Sequence, residues 1–257
     1  MEVRFITGND GLADALRTAL DEPGSLRSKA AAELAVARIQ NRWFERAENV
    51  GLHTSMDRAD VNRLCDAYLE QVASDPLEAT RTLTRSIMSR VAASIGADRW
   101  VDTTPANARK ADRVEPIYPQ SVVIIVHRDG RDVAASFVQQ SFGPDDVFEA
   151  LGQWEQRTLR IHRAVAGSRP DRILQIDLVD LVSHDRVGTL ERVCAAVDVP
   201  LAAQMVEWFD HNVTKQAAHG GRWRQDFDQV TCDRLDAMYA DICGRLSAAG
   251  VHIPPPG

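Results

Sequence analysis

Apolar positions recur at spacings of three and four along residues 28–49 and 60–95, the period of a helix that buries one face. In the second stretch Val61, Leu64, Cys65, Tyr68, Leu69 and Val72 form one stripe behind Asp60, a residue type that caps helices. Asp75-Pro76 restarts the chain, because a capping carboxylate followed by proline in the first turn is a start signal. Leu83, Ile87, Val91 and Ile95 then carry one face down to Gly96, a natural stop. From residue 97 strand and helix alternate, the pattern of a parallel sheet covered by helices. Arg99-Trp100-Val101-Asp102 reads as a short strand, and Thr104-Pro105 opens a helix toward Arg113. The β-branched run Ser121–His127 is of the kind that a strand buried on both faces tolerates, which places it at the centre of the sheet. Helices follow over 133–140 and 147–166, then a strand over 172–177 and helices over 187–197, 201–209 and 231–246, with Pro254-Pro255-Pro256 as a frayed end. No repeat or long linker divides the chain. The pattern therefore predicts one α/β domain over 1–257, a parallel sheet flanked by helices with a helical insertion before residue 97.

Composition narrows the function. With 44% hydrophobic and 26% charged residues the chain is globular, and disordered or collagen-like structure is excluded. No apolar run approaches the roughly 18–20 residues of a membrane span, and Met1-Glu2-Val3-Arg4 lacks the layout of a secretory signal, so the chain reads as cytoplasmic. Lys plus Arg is 30 against 37 for Asp plus Glu, and the net charge of −7 argues against broad nucleic-acid binding. Any anion site must therefore be local. Cys65, Cys194, Cys232 and Cys243 have no paired spacing and read as buried free thiols; with the histidines equally scattered, no metal is predicted. His127, at the end of a strand, reads as a packing residue rather than a base.

The chemistry concentrates in Val122–Phe137, VVIIVHRDGRDVAASF. Arg128 leaves the carboxyl end of the buried strand, where open α/β sheets place their ligands. Asp129 and Asp132 are placed as a capping pair on the helix that follows, so its free N–H groups face the same crevice. Ser136 lies two turns into that helix. A guanidinium at the strand end and a hydroxyl eight residues later suit one monoester phosphate. The competing reading makes Arg128 and Asp129 a plain surface ion pair.

The full string resembles the 3′-phosphate-binding motif of sulfotransferases that use 3′-phosphoadenosine 5′-phosphosulfate (PAPS), in which a hydrophobic strand runs into R-D-x-R-D-x-x-x-S. Trp100-Val101-Asp102-Thr103-Thr104-Pro105 resembles the W-x-[DE]-K-T-P element of bacterial members and tyrosylprotein sulfotransferases. Gly221-Arg222-Trp223-Arg224 resembles the late glycine–tryptophan loop that closes over the nucleotide, and 171–200 follows the family's Y-E-D-L-V and L-G-L-P texture. The resemblance implies a fold like that of P-loop NTPases, PAPS as donor and 3′-phosphoadenosine 5′-phosphate (PAP) as product. It implies that Arg128 and Ser136 bind the 3′-phosphate and that Arg222 adds a second cation. Trp223 reads either as a core anchor or as a partner of the adenine. Glu2, in Glu2-Val3-Arg4, matches the glutamate that takes the acceptor's proton; read without the resemblance, it is a frayed terminal charge.

Three departures stand out. The family's R-S-G-T-T loop for the 5′-phosphosulfate is not in the sequence, and Thr7-Gly8-Asn9-Asp10-Gly11-Leu12, after an extended Val3–Ile6, is a poor substitute with Asp10 where an anion would sit. If Glu2 is the family's glutamate, that loop belongs upstream of Met1, and 1–257 is an N-terminally truncated sulfotransferase-like domain. Thr103 stands where many relatives have lysine, and Leu178 where tyrosine is common. The leading expectation is sulfuryl transfer from PAPS to a hydroxyl of a small molecule, lipid or carbohydrate. Its rival is a non-catalytic remnant that keeps the 3′-phosphate grip or binds a partner without turnover. A nucleoside kinase is disfavoured, since no G-x-x-x-x-G-K-[ST] occurs. The sequence is silent on oligomeric state.

Overall fold

The computed structural model describes residues 4–48 and 50–254, which fall into two compact units divided between Ser121 and Val122. The first unit is helical. It contains α1 (Arg4–Thr7), α2 (Leu12–Asp21), α3 (Leu26–Arg38), α4 (Arg58–Gln71), α5 (Pro76–Ala93) and α6 (Ala111–Ile117), with a π-helical turn over Ile39–Trp43. Its core gathers Leu12, Ile39, Val61, Cys65, Leu83 and Ile87, all at most 1% exposed. The stripes predicted on α4 and α5 are the faces that meet there, except that Ile95 lies beyond the end of α5 and is 80% exposed. Asp75 caps α5 as the Asp-Pro signal predicts, its carboxylate accepting the Glu78 N–H at 3.1 Å.

Four sequence expectations fail in this unit, one of them the helix expected to open at Thr104-Pro105, which instead begins with a 3-10 turn over Ala108–Lys110 before α6. Arg4–Thr7 is helical rather than extended, and Phe5, Ile6 and Thr7 are all buried, which an alternating strand would not achieve. The cap of α4 is Asp57, three residues before the expected Asp60, which instead pairs with Arg63 and Arg90. Residues 99–102 form no strand: the Asp102 carboxylate accepts both the N–H and the hydroxyl of Thr104, at 2.9 and 2.7 Å, a local turn that competes with sheet pairing.

The second unit is α/β, as read from the sequence. β1 (Val123–His127) leads into α7 (Gly130–Phe137) and α8 (Val147–Ala166), and β2 (Ile173–Asp177) returns parallel to β1, with Val123 opposite Ile173 and His127 opposite Asp177. There follow α9 (Arg186–Ala196), α10 (Ala203–Asn212), the single turns α11 (Lys215–Ala218) and α12 (Trp223–Asp226), and α13 (Gln229–Ala248). α8 matches its predicted bounds. The carboxylate of Asp146 opens it by accepting the N–H groups of Phe148 and Glu149. α7, α8 and α13 pack around Leu151, Leu235, Ile242 and Leu246, each fully buried.

The expected central position of the β-branched strand is corrected. Among the described residues the sheet has two strands, only Ile125 of β1 is buried, and Val126 is 50% exposed. An apolar run shows what burial a strand can tolerate, whereas neighbours remote in sequence decide what it receives. The parallel register sets the carboxyl ends of both strands side by side.

Candidate anion-binding site

At those carboxyl ends lies a half-open crevice with a volume of about 90 Å³. The β1 end contributes His127 and Arg128, the segment after β2 contributes Leu178 and His184, and Lys215 and Gly220 face it from the later loop. A smaller pocket of about 40 Å³ is lined by Arg128, Ser136, His219, Arg222 and the carboxylates of Asp132 and Asp226. Arg128 faces both spaces. Three of the predicted nucleotide-binding residues, Arg128, Ser136 and Arg222, thus line a single pocket. Trp223 does not: it is 1% exposed and packs in the core under α7 and α13. Glu2 lies outside the described residues.

The R-D-x-R-D string divides its labour. Arg128 alone of the motif's cations faces the pocket. One Nη donates to the His219 carbonyl at 3.1 Å, while the buried Nε has no hydrogen-bond partner among the described residues. Asp129 caps α7 through the Arg131 N–H at 2.8 Å and also holds the Arg131 side chain, whose Nε reaches it at 3.0 Å. Arg131 points away from the crevice, bonds to Asp236 on α13, and stacks between the rings of Trp223 and Tyr239, 4.7 and 4.4 Å from their centroids. Burial pulls its pKa down, but the bonds to Asp129 and Asp236 more than offset that, and the guanidinium stays charged.

The expected capping pair is therefore half right. Asp129 caps α7, whereas Asp132, 3% exposed, turns to the loop before α12 and accepts the N–H of Gly221 at 2.9 Å and of Trp223 at 3.4 Å. The sequence reading gave Asp132 the wrong partner because the loop lies almost ninety positions away. Arg222, between those two amides, pairs with Asp226 at 3.2 Å and donates to Gln139 at 3.2 Å.

Other groups at the strand ends are structural. His127 shares a bond with Gln175 on β2 at 2.9 Å, and burial lowers its pKa, with the Gln175 bond opposing, so the ring is neutral at neutral pH. His252 stacks edge-on against it and reaches Asp177 at 2.8 Å, which holds the segment around Pro254 against the crevice. Lys215, exposed at the rim, has no ion-pair partner among the described residues and went unnoticed in the sequence because no motif surrounds it. Elsewhere, in the first unit, the Thr7–Leu12 turn contains Asp10 paired with Arg38 at 2.7 Å.

A strand-end arginine with an orphaned buried donor, a neighbouring hydroxyl and a second arginine suits recognition of a phosphate- or sulfate-like anion. A profile of the Sulfotransferase family matches residues 16–203, most of the chain, and the protein belongs to that family. The match crosses the boundary between the two units. The solved sulfotransferase domain from the curacin biosynthetic pathway is similar at 16% identity and a TM-score of 0.43, over 93% of this chain and 85% of that one. No curated protein matches the chain. Among the described residues no helix is long and apolar enough to cross a membrane.

Proposed function

We propose that the protein is a sulfotransferase that uses PAPS as donor and a hydroxyl of a small molecule, lipid or carbohydrate as acceptor, both units forming one sulfotransferase-like domain. The observation that carries this reading is the convergence of Arg128, Ser136 and Arg222 on one pocket at the carboxyl end of β1. The orphaned Nε of Arg128 supports the fit, since a buried donor without an acceptor is costly and a phosphate oxygen would satisfy it. Arg128 and Ser136 hold the 3′-phosphate, Arg222 adds charge while tethered to Asp226, and Trp223 anchors the loop from the core. PAPS supplies an activated sulfuryl group whose S–O bond to phosphate breaks as a bond to the acceptor oxygen forms.

Such transfers pass through a loose transition state, so the protein's contribution is positioning and charge. The acceptor's proton leaves to a base, the role assigned to Glu2 by its place in the Glu2-Val3-Arg4 element. Lys215, at the rim of the crevice, is a cation available to the donor's other charges.

The test is a thermal shift with PAP. PAP is expected to raise the melting temperature of the native protein, and Arg128→Ala to abolish the rise. Equal shifts in both proteins would remove Arg128 from the site. Adenosine 5′-phosphate, which lacks the 3′-phosphate, is expected to bind more weakly by about 2 kcal/mol, the scale of lost charge-assisted bonds.

A further inference from the structure

The phosphate pocket contains a carboxylate that phosphate recognition does not obviously want. Asp132 is buried and lines both the crevice and the pocket. Its two oxygens accept the amides on either side of Arg222, Gly221 N–H at 2.9 Å and Trp223 N–H at 3.4 Å. The loop so held is costly to form: His219 has a φ of 52° and Gly221 of 72°, and a left-handed histidine persists only where its surroundings fix it. Arg128 fixes the same loop from the other side through the His219 carbonyl, at 3.1 Å.

We infer that Asp132 is a positioning residue, whose carboxylate clamps the backbone around Arg222 and so sets that cation and Arg128 on one anion. The inference rests on the proposed nucleotide reading. It has a sign that separates it from electrostatics. Coulomb's law alone predicts that removing a buried negative charge beside a phosphate strengthens phosphate binding. A clamp predicts the opposite, because the unclamped loop must be ordered again at each binding event. It also differs from a merely structural role, which would weaken every ligand alike and leave their ratio unchanged.

The experiment measures Kd by titration calorimetry for PAP and for adenosine 5′-phosphate, on the full chain, Asp132→Asn and Asp132→Ala. The native protein is expected to prefer PAP. Asp132→Asn, which keeps one acceptor oxygen, is expected to lose about tenfold of that preference, and Asp132→Ala more. Amide hydrogen exchange supplies a second readout: the Gly221 and Trp223 N–H groups should exchange faster in both variants while the core amides of α13 keep their protection. A native preference for PAP that survives intact or grows in the variants overturns the role of Asp132 alone. Absence of any preference in the native protein overturns the nucleotide reading and this inference with it. Should Asp132→Ala fail to fold, the near-isosteric Asp132→Asn still decides the matter.

Discussion

Gly130 sits in the middle of the R-D-x-R-D string for a reason that concerns packing. A methyl group there would stand 2.6–2.8 Å from ring atoms of Trp154 on α8. Gly130→Ala is therefore expected to destabilise the second unit by about 1–3 kcal/mol, the range for overpacking a filled site, as read by denaturant unfolding. An unchanged midpoint would mean that Trp154 can retreat at no cost. The residue types of the motif were legible in the sequence, and so was the assignment of Arg128 to the strand end. What was illegible was the partner of each charge. Asp129 and Asp132 have the same side chain three positions apart, yet one ties Arg131 and the other holds a distant loop. Trp223 was read as either anchor or ring partner, and only the packing of α7 and α13 over it puts it in the core.

At the scale of elements, local chemistry read best where a single residue decides a boundary. The Asp75-Pro76 start of α5 needs only the preference of a carboxylate for free N–H groups and of proline for a first turn. Asp75→Ala is expected to cost about 1 kcal/mol of stability in the first unit, checked by thermal unfolding against a neighbouring exposed substitution, with no effect on nucleotide binding. Where two local preferences compete, the reading failed. Residues 99–102 have strand-forming types, but Asp102 captures Thr104 and closes a turn. Phe5 and Ile6 suit a strand by type, and form a helical turn because both must reach the core beneath α2. The burial of β1 was misjudged for a related reason, since a hydrophobic run says nothing of how many strands lie beside it.

For the molecule as a whole, a net charge of −7 repels a multiply charged anion at long range, while Arg128, Arg222 and Lys215 attract it at short range. Salt screens both, but the contact pairs dominate the binding energy, so raising ionic strength from about 0.05 to about 0.5 M is expected to weaken PAP several-fold. Tighter binding at high salt, measured by the same titration, would show that the overall field outweighs the local cations. The family match runs through the boundary between the two units, so the sequence signal of the family is not confined to either one.

By itself the sequence determined the α/β class, the Asp75 cap, most of the apolar stripes of the long helices, and the strand–arginine–helix string that lines the candidate site, because each is set by neighbours within a few residues. The tertiary structure alone decided which charges meet. Arg128 and His219, Asp132 and Gly221, and Arg131 and Asp236 are pairs separated by about a hundred residues or nearly so. No local periodicity reports such a pairing, since it depends on where the parallel return of β2 and the packing of α13 bring the later loop.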